Sequence, residues 1–254
     1  MNRLITILFL LPVLWLSGCA STSQKHTSAA DDGDAKALFE KGKKQMNHGN
    51  YLLAIEKFEK LVSRYPFGPY AQQAQLEIAY ANYKSQEPDI AIAQAEDFIK
   101  FNPQHPHVDY AYYIKALANF KRFEGILDKV APRDLASLDP NPFKQSFLDF
   151  KLLVTRFPQS RYAPDARQRM IFLRNILARH ELEVADFYFR RRAWVATANR
   201  CEYLMETYDG ADSVPDALVL LAKAYKKLGL DDDYDDTVRL IETNYPHMLA
   251  KLAQ

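Results

Sequence analysis

Along almost the whole chain apolar residues recur at intervals of three and four, and the segments they form finish alike. Phe58, Leu61 and Tyr65 run into Pro66, Phe98 and Phe101 into Pro103, and Phe150, Leu153 and Phe157 into Pro158. Cys201, Leu204 and Tyr208 run into Asp209, and Val238, Ile241 and Tyr245 into Pro246. The spacing puts an apolar stripe on one face of an α-helix. A proline excludes helical backbone from the residue before it, so each segment reads as an amphipathic helix with a set end. The ends keep a period: 37 residues separate Pro66 from Pro103, and 37 separate Asp209 from Pro246.

Helix pairs repeated every ~34 to 37 residues are the signature of a tetratricopeptide array. In the first unit Gly42, Gly49, Tyr51, Ala54, Phe58 and Pro66 fall at spacings that resemble that repeat. Small residues let the two helices of a unit approach closely, and the Tyr and Phe fill the gap to the next unit. The stretch from Ala79 to Lys84 recurs from Ala116 to Lys121, displaced by 37 residues, and Ala222 to Tyr225 repeats the idea with Gly229 near the turn. The expected fold is therefore all-α, an α-solenoid of about five tetratricopeptide-like helix pairs wound into a right-handed superhelix. Within an array spanning 34–254, the units are expected at about 35–68, 70–104, 107–158, 162–209 and 213–247. Between Gly125 and Asn141, Pro132, Pro140 and three Asp predict a long loop inside the third unit. No breaker interrupts Pro164 to Arg192, which predicts one unusually long helix, and the tail after Pro246 is expected to cap the array.

The amino terminus is of another kind. Arg3 is followed by an almost wholly apolar run from Leu4 to Leu16, too short for the roughly 20 residues that span a bilayer as a helix. This reads as a secretory signal over 1–18 that is removed. Leu16, Ser17, Gly18 and Cys19 resemble the bacterial lipoprotein box, which implies a lipid on Cys19; the alternative is a plain secretory peptide with an incidental cysteine. Several acyl chains at ~0.8 kcal/mol per buried methylene would anchor the chain firmly. Ala20 stands where an Asp would, by the usual sorting rule for such lipoproteins, retain the protein in the inner membrane. The expected place is the outer membrane, lipid-anchored on its periplasmic face. Residues 19–33 are expected to form the lipidated Cys and a flexible tether. Cys201 is left as a lone, buried thiol.

Composition narrows the function classes. Eight glycines in 254 residues, about half the usual share, leave few tight turns for hairpins. Lys and Arg total 33 against 32 Asp and Glu, so no positive excess draws a nucleic-acid backbone, and no nucleic-acid partner is expected. His105 and His107 lack a metal-ligand pattern, and a rigid turn is the stronger reading. The acids from Asp231 to Asp236 lack the mid-loop Gly and terminal Glu of a calcium loop, and suit a helix amino end instead. Arg190, Arg191 and Arg192 are either plain exposed surface or a patch for an acidic partner. No phosphate loop, nucleophile elbow or zinc spacing is present. The expectation is a protein that is not an enzyme, with no metal and no cofactor beyond the lipid on Cys19.

Such arrays bind along the concave face built by their first helices. Projection from the repeat register puts Phe39 and Lys43, then Tyr80, Tyr83 and Lys84, then Tyr110, Tyr113, Phe120 and Lys121 on that face. Aromatics with lysines suit an extended peptide carrying aromatic side chains and a terminal carboxylate. The competing reading is that these rings pack the interfaces between units.

Signal, lipid Cys, polar tether and five repeats with a long loop in the third together resemble the BamD (ComL) family of outer-membrane assembly lipoproteins. Local strings carry the likeness: Arg64, Tyr65, Pro66, Phe67, Gly68, Pro69 and Tyr70 followed by Gln72 and Gln73; Asn102 to Pro106 with Asp109 and Tyr110; Ala193 to Ala196 with Asn199 and Arg200. The resemblance implies a subunit of the β-barrel assembly machinery, bound to BamA through its POTRA domains and to a BamC-like lipoprotein. It further implies that the amino-terminal units receive the carboxy-terminal signals of unfolded outer-membrane proteins and that the fourth unit docks on BamA. Carried onto this chain, the first role falls on the projected groove and the turn bearing Arg64, Tyr65, Phe67, Gly68 and Tyr70, a turn that could equally be structural. The second falls on Arg192, Trp194, Asn199 and Arg200. Asp209 departs from the family's usual proline and loosens the fourth boundary. A tetratricopeptide lipoprotein that recruits peptidoglycan enzymes is the alternative function.

Overall fold

The computed structural model describes residues 28–121 and 134–253, with side chains from residue 34 onward. Every regular element among them is helical. The first unit is α1 (Ser28–Asn47) and α2 (Tyr51–Arg64), the second α3 (Pro69–Lys84) and α4 (Pro88–Phe101), the third α5 (Val108–Lys121) and α6 (Asn141–Arg156). The fourth is α7 (Ala163–Arg190) and α8 (Trp194–Thr207), and the fifth α9 (Val214–Leu228) and α10 (Asp231–Asn244). Each helix packs on the next in sequence, and first helices of neighbouring units also touch, α1 with α3, α3 with α5 and α7 with α9. The uninterrupted helix expected from Pro164 onward is α7, 28 residues long. After α10 a 3₁₀ stretch, Pro246–Lys251, lays Met248 and Leu249 on the last apolar cluster.

One boundary differs from expectation. The tether was expected to run to Gly33 and the folded body to start near Asp34, but α1 begins at Ser28. Ala29 and Ala30 are strong helix formers, and this local preference extends the helix beyond its apolar stripe. The signal segment, Cys19 and most of the Gly125–Asn141 loop lie outside the described residues. The described end of that loop makes a 3₁₀ turn, Leu135–Ser137, whose Ala136 is buried; the His180 ring on α7 lies 2.7 Å from its carbonyl oxygen.

All five second helices end by one geometry. Tyr65, Asn102, Phe157, Tyr208 and Tyr245 leave the helix with φ between −121° and −140°, and each donates its N–H to a carbonyl four residues back. Those carbonyls belong to the buried Leu61, Phe98, Leu153, Leu204 and Ile241. Tyr208 does this although Asp209 follows it instead of proline. Burial of the last apolar residues sets the end, and proline only reinforces it. Five helices then start with Pro in the first turn, where its set φ fits and no N–H is missed.

Within a unit the helices touch closely. Gly42 on α1 faces Phe58 on α2: a Cβ at Gly42 would stand 2.7 Å from Cδ1 and Cζ of that fully buried ring. In the third unit the Ser146 hydroxyl donates to the Ala116 carbonyl at 2.9 Å, helix against helix. A polar rung accompanies these contacts. Gln94, Asp149 and Arg200 each stand nine residues before the residue that closes their unit. Asn82 donates to Gln94 at 2.9 Å, Asn119 donates to Asp149 at 2.8 Å, and Arg200 donates to Glu181 at 2.9 Å. Asn82 and Asn119 are the repeated Asn of the 37-residue match. Glu181 is 2% exposed, and its other oxygen lies 3.7 Å from the Lys144 ammonium.

The first half of α7 reaches past its own unit. Arg174 donates to the carbonyls of Asp209 and Gly210 at 2.9 and 2.7 Å, and Asn175 donates to Asp212 at 2.6 Å. The largest apolar cluster accordingly runs without a break from Val108 on α5 to Ala224 on α9. Inside it Cys201 is free and fully buried, and burial pushes its thiol up to about 12.

Two stability predictions follow from these contacts. Gly42→Ala gains up to ~1 kcal/mol of helix propensity but overpacks Phe58 at ~1 to 3 kcal/mol, so urea denaturation should show a net loss. Arg200→Ala strands a buried carboxylate and should cost ~1 to 3 kcal/mol, whereas in a Glu181→Gln background the same change should cost under ~1 kcal/mol. Equal costs in both backgrounds would mean that Arg200 does not hold Glu181.

Candidate functional site

First helices of units one to three, the start of α2 and the turn before α7 line a groove of about 570 Å³. Of the nine residues projected onto the concave face, Phe39, Lys43, Tyr80 and Tyr110 line it. A ladder of rings crosses it. Tyr80 lies 6.0 Å from Tyr110, Tyr110 stacks on Tyr162 at 5.1 Å, and Tyr162 stacks on Tyr113 at 4.7 Å. Burial, reinforced by the Glu77 carboxylate, raises the Tyr110 hydroxyl well above its ordinary value. Burial and a hydrogen bond to Asp165 hold Tyr113 up to about 12. Both are half-sunk rings, and the Tyr113 hydroxyl is already donated to Asp165.

The other projected rings have neighbours of their own. Phe39 also packs on Phe58 and Tyr70, at 5.6 and 5.7 Å, so only part of it faces the groove. Phe120 is wedged between Phe143 and Phe172. Tyr83 touches Tyr80 and carries the Lys121 ammonium 4.9 Å from its ring centre. Of the lysines, Lys43 pairs with Glu77 at 2.7 Å, and Lys84 and Lys121 are not among the residues that line the groove. Arg161 remains. Its guanidinium lies over the Tyr162 ring, 4.9 Å from the centre, and among the described residues no carboxylate pairs with it.

Arg161 and Tyr162 were not on the projected face, because they precede α7 and only helical positions were projected. A signal for them exists. Tyr70, His107 and Tyr162 each stand four residues after the closing proline of the preceding unit, and His107 and Tyr162 both line the groove.

The turn from Arg64 to Tyr70 divides its residues between two roles. Tyr65 is buried and its hydroxyl donates to Asp34 at 3.4 Å, while Arg64 pairs with the same carboxylate at 3.5 Å. Gly68, at φ +105°, turns the chain into α3, a backbone that L side chains rarely adopt. Tyr70 belongs to the first core. Phe67 alone stands out, 90% exposed, and with Phe101, 71% exposed, it edges a second cleft of about 450 Å³.

On the fourth unit the projected docking residues do not form one cluster. Arg192 sits in the α7–α8 turn at φ +60°, Trp194 opens α8 with its edge 4.8 Å from Phe189, and Asn199 is exposed. Arg200 is turned inward onto Glu181. Val195, 59% exposed, presents apolar surface beside them.

The sequence profile of the family described as "YfiO: Outer membrane lipoprotein" matches residues 31–240. The chain is 38% identical over 235 residues to a Neisseria meningitidis protein named outer membrane protein assembly factor BamD, covering 92% of this chain and 88% of that one. It is 39% identical to the protein of that name from Xylella fastidiosa, over 91% of this chain and 78% of that one. With the Vibrio cholerae protein of the same name it shares 37% identity, over 94% and 98%. With the profile spanning most of the five helix pairs and these relatives matched over most of their length, the chain belongs to the YfiO family of outer membrane lipoproteins, that of the BamD assembly factors.

Proposed function

We propose that the chain is a lipid-anchored subunit of the outer-membrane β-barrel assembly machinery, held on the periplasmic face of the outer membrane through Cys19. Its relatives are named assembly factors, and a non-catalytic, receiving role follows from the same reading. The observation that carries it is the ladder of neutral tyrosines beside Arg161. Stacked rings accept an aromatic side chain, and a cation with no carboxylate partner among the described residues accepts a chain-terminal carboxylate, together the features of a β-barrel protein's carboxy-terminal end. Lys43 is a poor candidate for the carboxylate because Glu77 already holds it. The fourth unit supplies the docking surface for BamA's POTRA domains, with Trp194, Val195 and Asn199 as the accessible residues, and a BamC-like lipoprotein completes the set of partners.

Two measurements test the roles separately. In a fluorescence-anisotropy titration of the lipoprotein with a peptide ending in a free-carboxylate aromatic, Arg161→Gln and Tyr110→Ala should each weaken binding about tenfold, ~1.4 kcal/mol. A peptide amide should bind as weakly and be insensitive to Arg161→Gln; unchanged affinity in both variants removes the groove from the mechanism. Because Arg161 is exposed, its variant folds whatever happens to Tyr110→Ala. For docking, Val195→Asp with Asn199→Arg should lower the amount of BamA that stays bound to the tagged lipoprotein after gentle detergent extraction. Undiminished BamA moves the interface elsewhere, and cell-wall hydrolases in place of BamA would identify an adaptor for peptidoglycan enzymes.

A further inference from the structure

The edge of the array where second helices end carries two rings that the fold does not use. Phe67 follows Pro66 in the α2–α3 turn and Phe101 closes α4. They are the most exposed Phe side chains among the described residues, yet they share one cleft. Phe101 has a cation beside it, the Lys100 ammonium 5.2 Å from its ring centre, and Arg64, three residues before Phe67 in sequence, lies over Tyr65 at 5.3 Å and pairs with Asp34. The cleft floor is polar, closed by a 3.0 Å hydrogen bond from Gln72 to Asn102, and Asp97 is its one carboxylate among the described residues. A ring beside a cation on a polar base is not the composition of a buried seam. It is that of a group that sits at a water–lipid boundary, ring towards the acyl chains and cation among the headgroups.

The first described helix meets this same edge. Asp34 of α1 is tied to both Arg64 and Tyr65, so the start of α1 is fixed beside the turn that carries Phe67. Six further residues of helix lead back from Asp34 to Ser28, a rise of roughly 9 Å. Nine residues separate Ser28 from Cys19, a span of at most roughly 30 Å. A lipid on Cys19 therefore keeps the Phe67–Phe101 edge within the tether's reach of the bilayer, while the carboxy-terminal units lie several helix widths further along the array. We propose that Phe67 and Phe101 form a second, non-covalent membrane contact, in which this edge seats at the headgroup boundary of the bilayer that holds the anchor. The contact fixes which way the groove faces relative to the membrane surface. It rests on the lipid at Cys19, and one surface of the first two units is thereby committed to lipid and not to a protein partner.

The test uses the full lipoprotein reconstituted in vesicles of phosphatidylethanolamine and phosphatidylglycerol, with a fraction of lipids brominated near the headgroup. Phe67→Trp and Phe101→Trp place reporters at exposed positions where the fold has nothing to lose, and Trp194 on the fourth unit is the internal reference. The added tryptophans should shift to shorter wavelength on reconstitution and lose fluorescence to the brominated lipid, while wild-type Trp194 emission stays unchanged. Membrane-bound protein whose added tryptophans keep their aqueous emission overturns the contact and leaves the anchor standing. Protein that does not stay with the vesicles, behaving as Cys19→Ser does, overturns both together. Quenching that appears only with BamA present means a protein surface positions the edge, and this too overturns a contact made by the lipoprotein alone.

Discussion

Each helix pair is held at one spacing because the residues between its helices are too small to keep the backbones apart. Gly42 under the Phe58 ring and Ala116 within reach of the Ser146 hydroxyl are the plainest cases, and Ala54, Ala79, Ala91, Ala95 and Ala222 are fully buried in comparable contacts. Close approach brings the Asn and Glu of one helix within bonding distance of position-matched side chains on the next, so that polar groups with no access to water are paired. It also fixes the offset between successive first helices. The tyrosines of units two, three and four therefore meet as a ladder and not as isolated rings.

The groove draws its character from that offset. Its rings come from different units, and the stacking of Tyr110, Tyr162 and Tyr113 joins α5 to the turn before α7. Packing between units and lining the groove are thus not alternatives for Tyr110 and Tyr162, which do both. Charge is divided in the same manner. Lys43, Lys84 and Lys121 are used to neutralise or cover neighbours, which leaves the guanidinium on Tyr162 as the groove's electrostatic feature.

Much of this was legible in the chain, for definite reasons. Helix ends were readable because apolar spacing, a terminal aromatic and a proline report one event, the burial of the final turn; Tyr208 shows that burial is the cause, since the end forms beside Asp209. The 37-residue match put Asn82 and Asn119 at equivalent positions of α3 and α5 without disclosing that they are buried. The start of α1 was not readable, because a helix that extends by local propensity leaves no apolar stripe. Partner choice was not readable either. That Lys43 belongs to Glu77, or Arg200 to Glu181, depends on a helix from another part of the chain. Arg161 and Tyr162 were hidden by a projection restricted to helices, although their spacing from Pro158 matches that of Tyr70 from Pro66.

Most neighbours in a linear array of repeats are coupled only across one interface, so such arrays can open one unit at a time. The extra length of α7 changes this at one end. By gripping the Asp209 and Gly210 carbonyls with Arg174 and the Asp212 carboxylate with Asn175, it makes the fourth unit hold the turn that leads into the fifth. The carboxy-terminal pairs are thereby coupled beyond their helix-on-helix interface, which favours their opening together. The amino-terminal pairs are tied across units by single side chains, Lys43 to Glu77 and Lys121 to the Tyr83 carbonyl, with no helix reaching past its own unit. One lengthened helix thus joins the last two units into a single block.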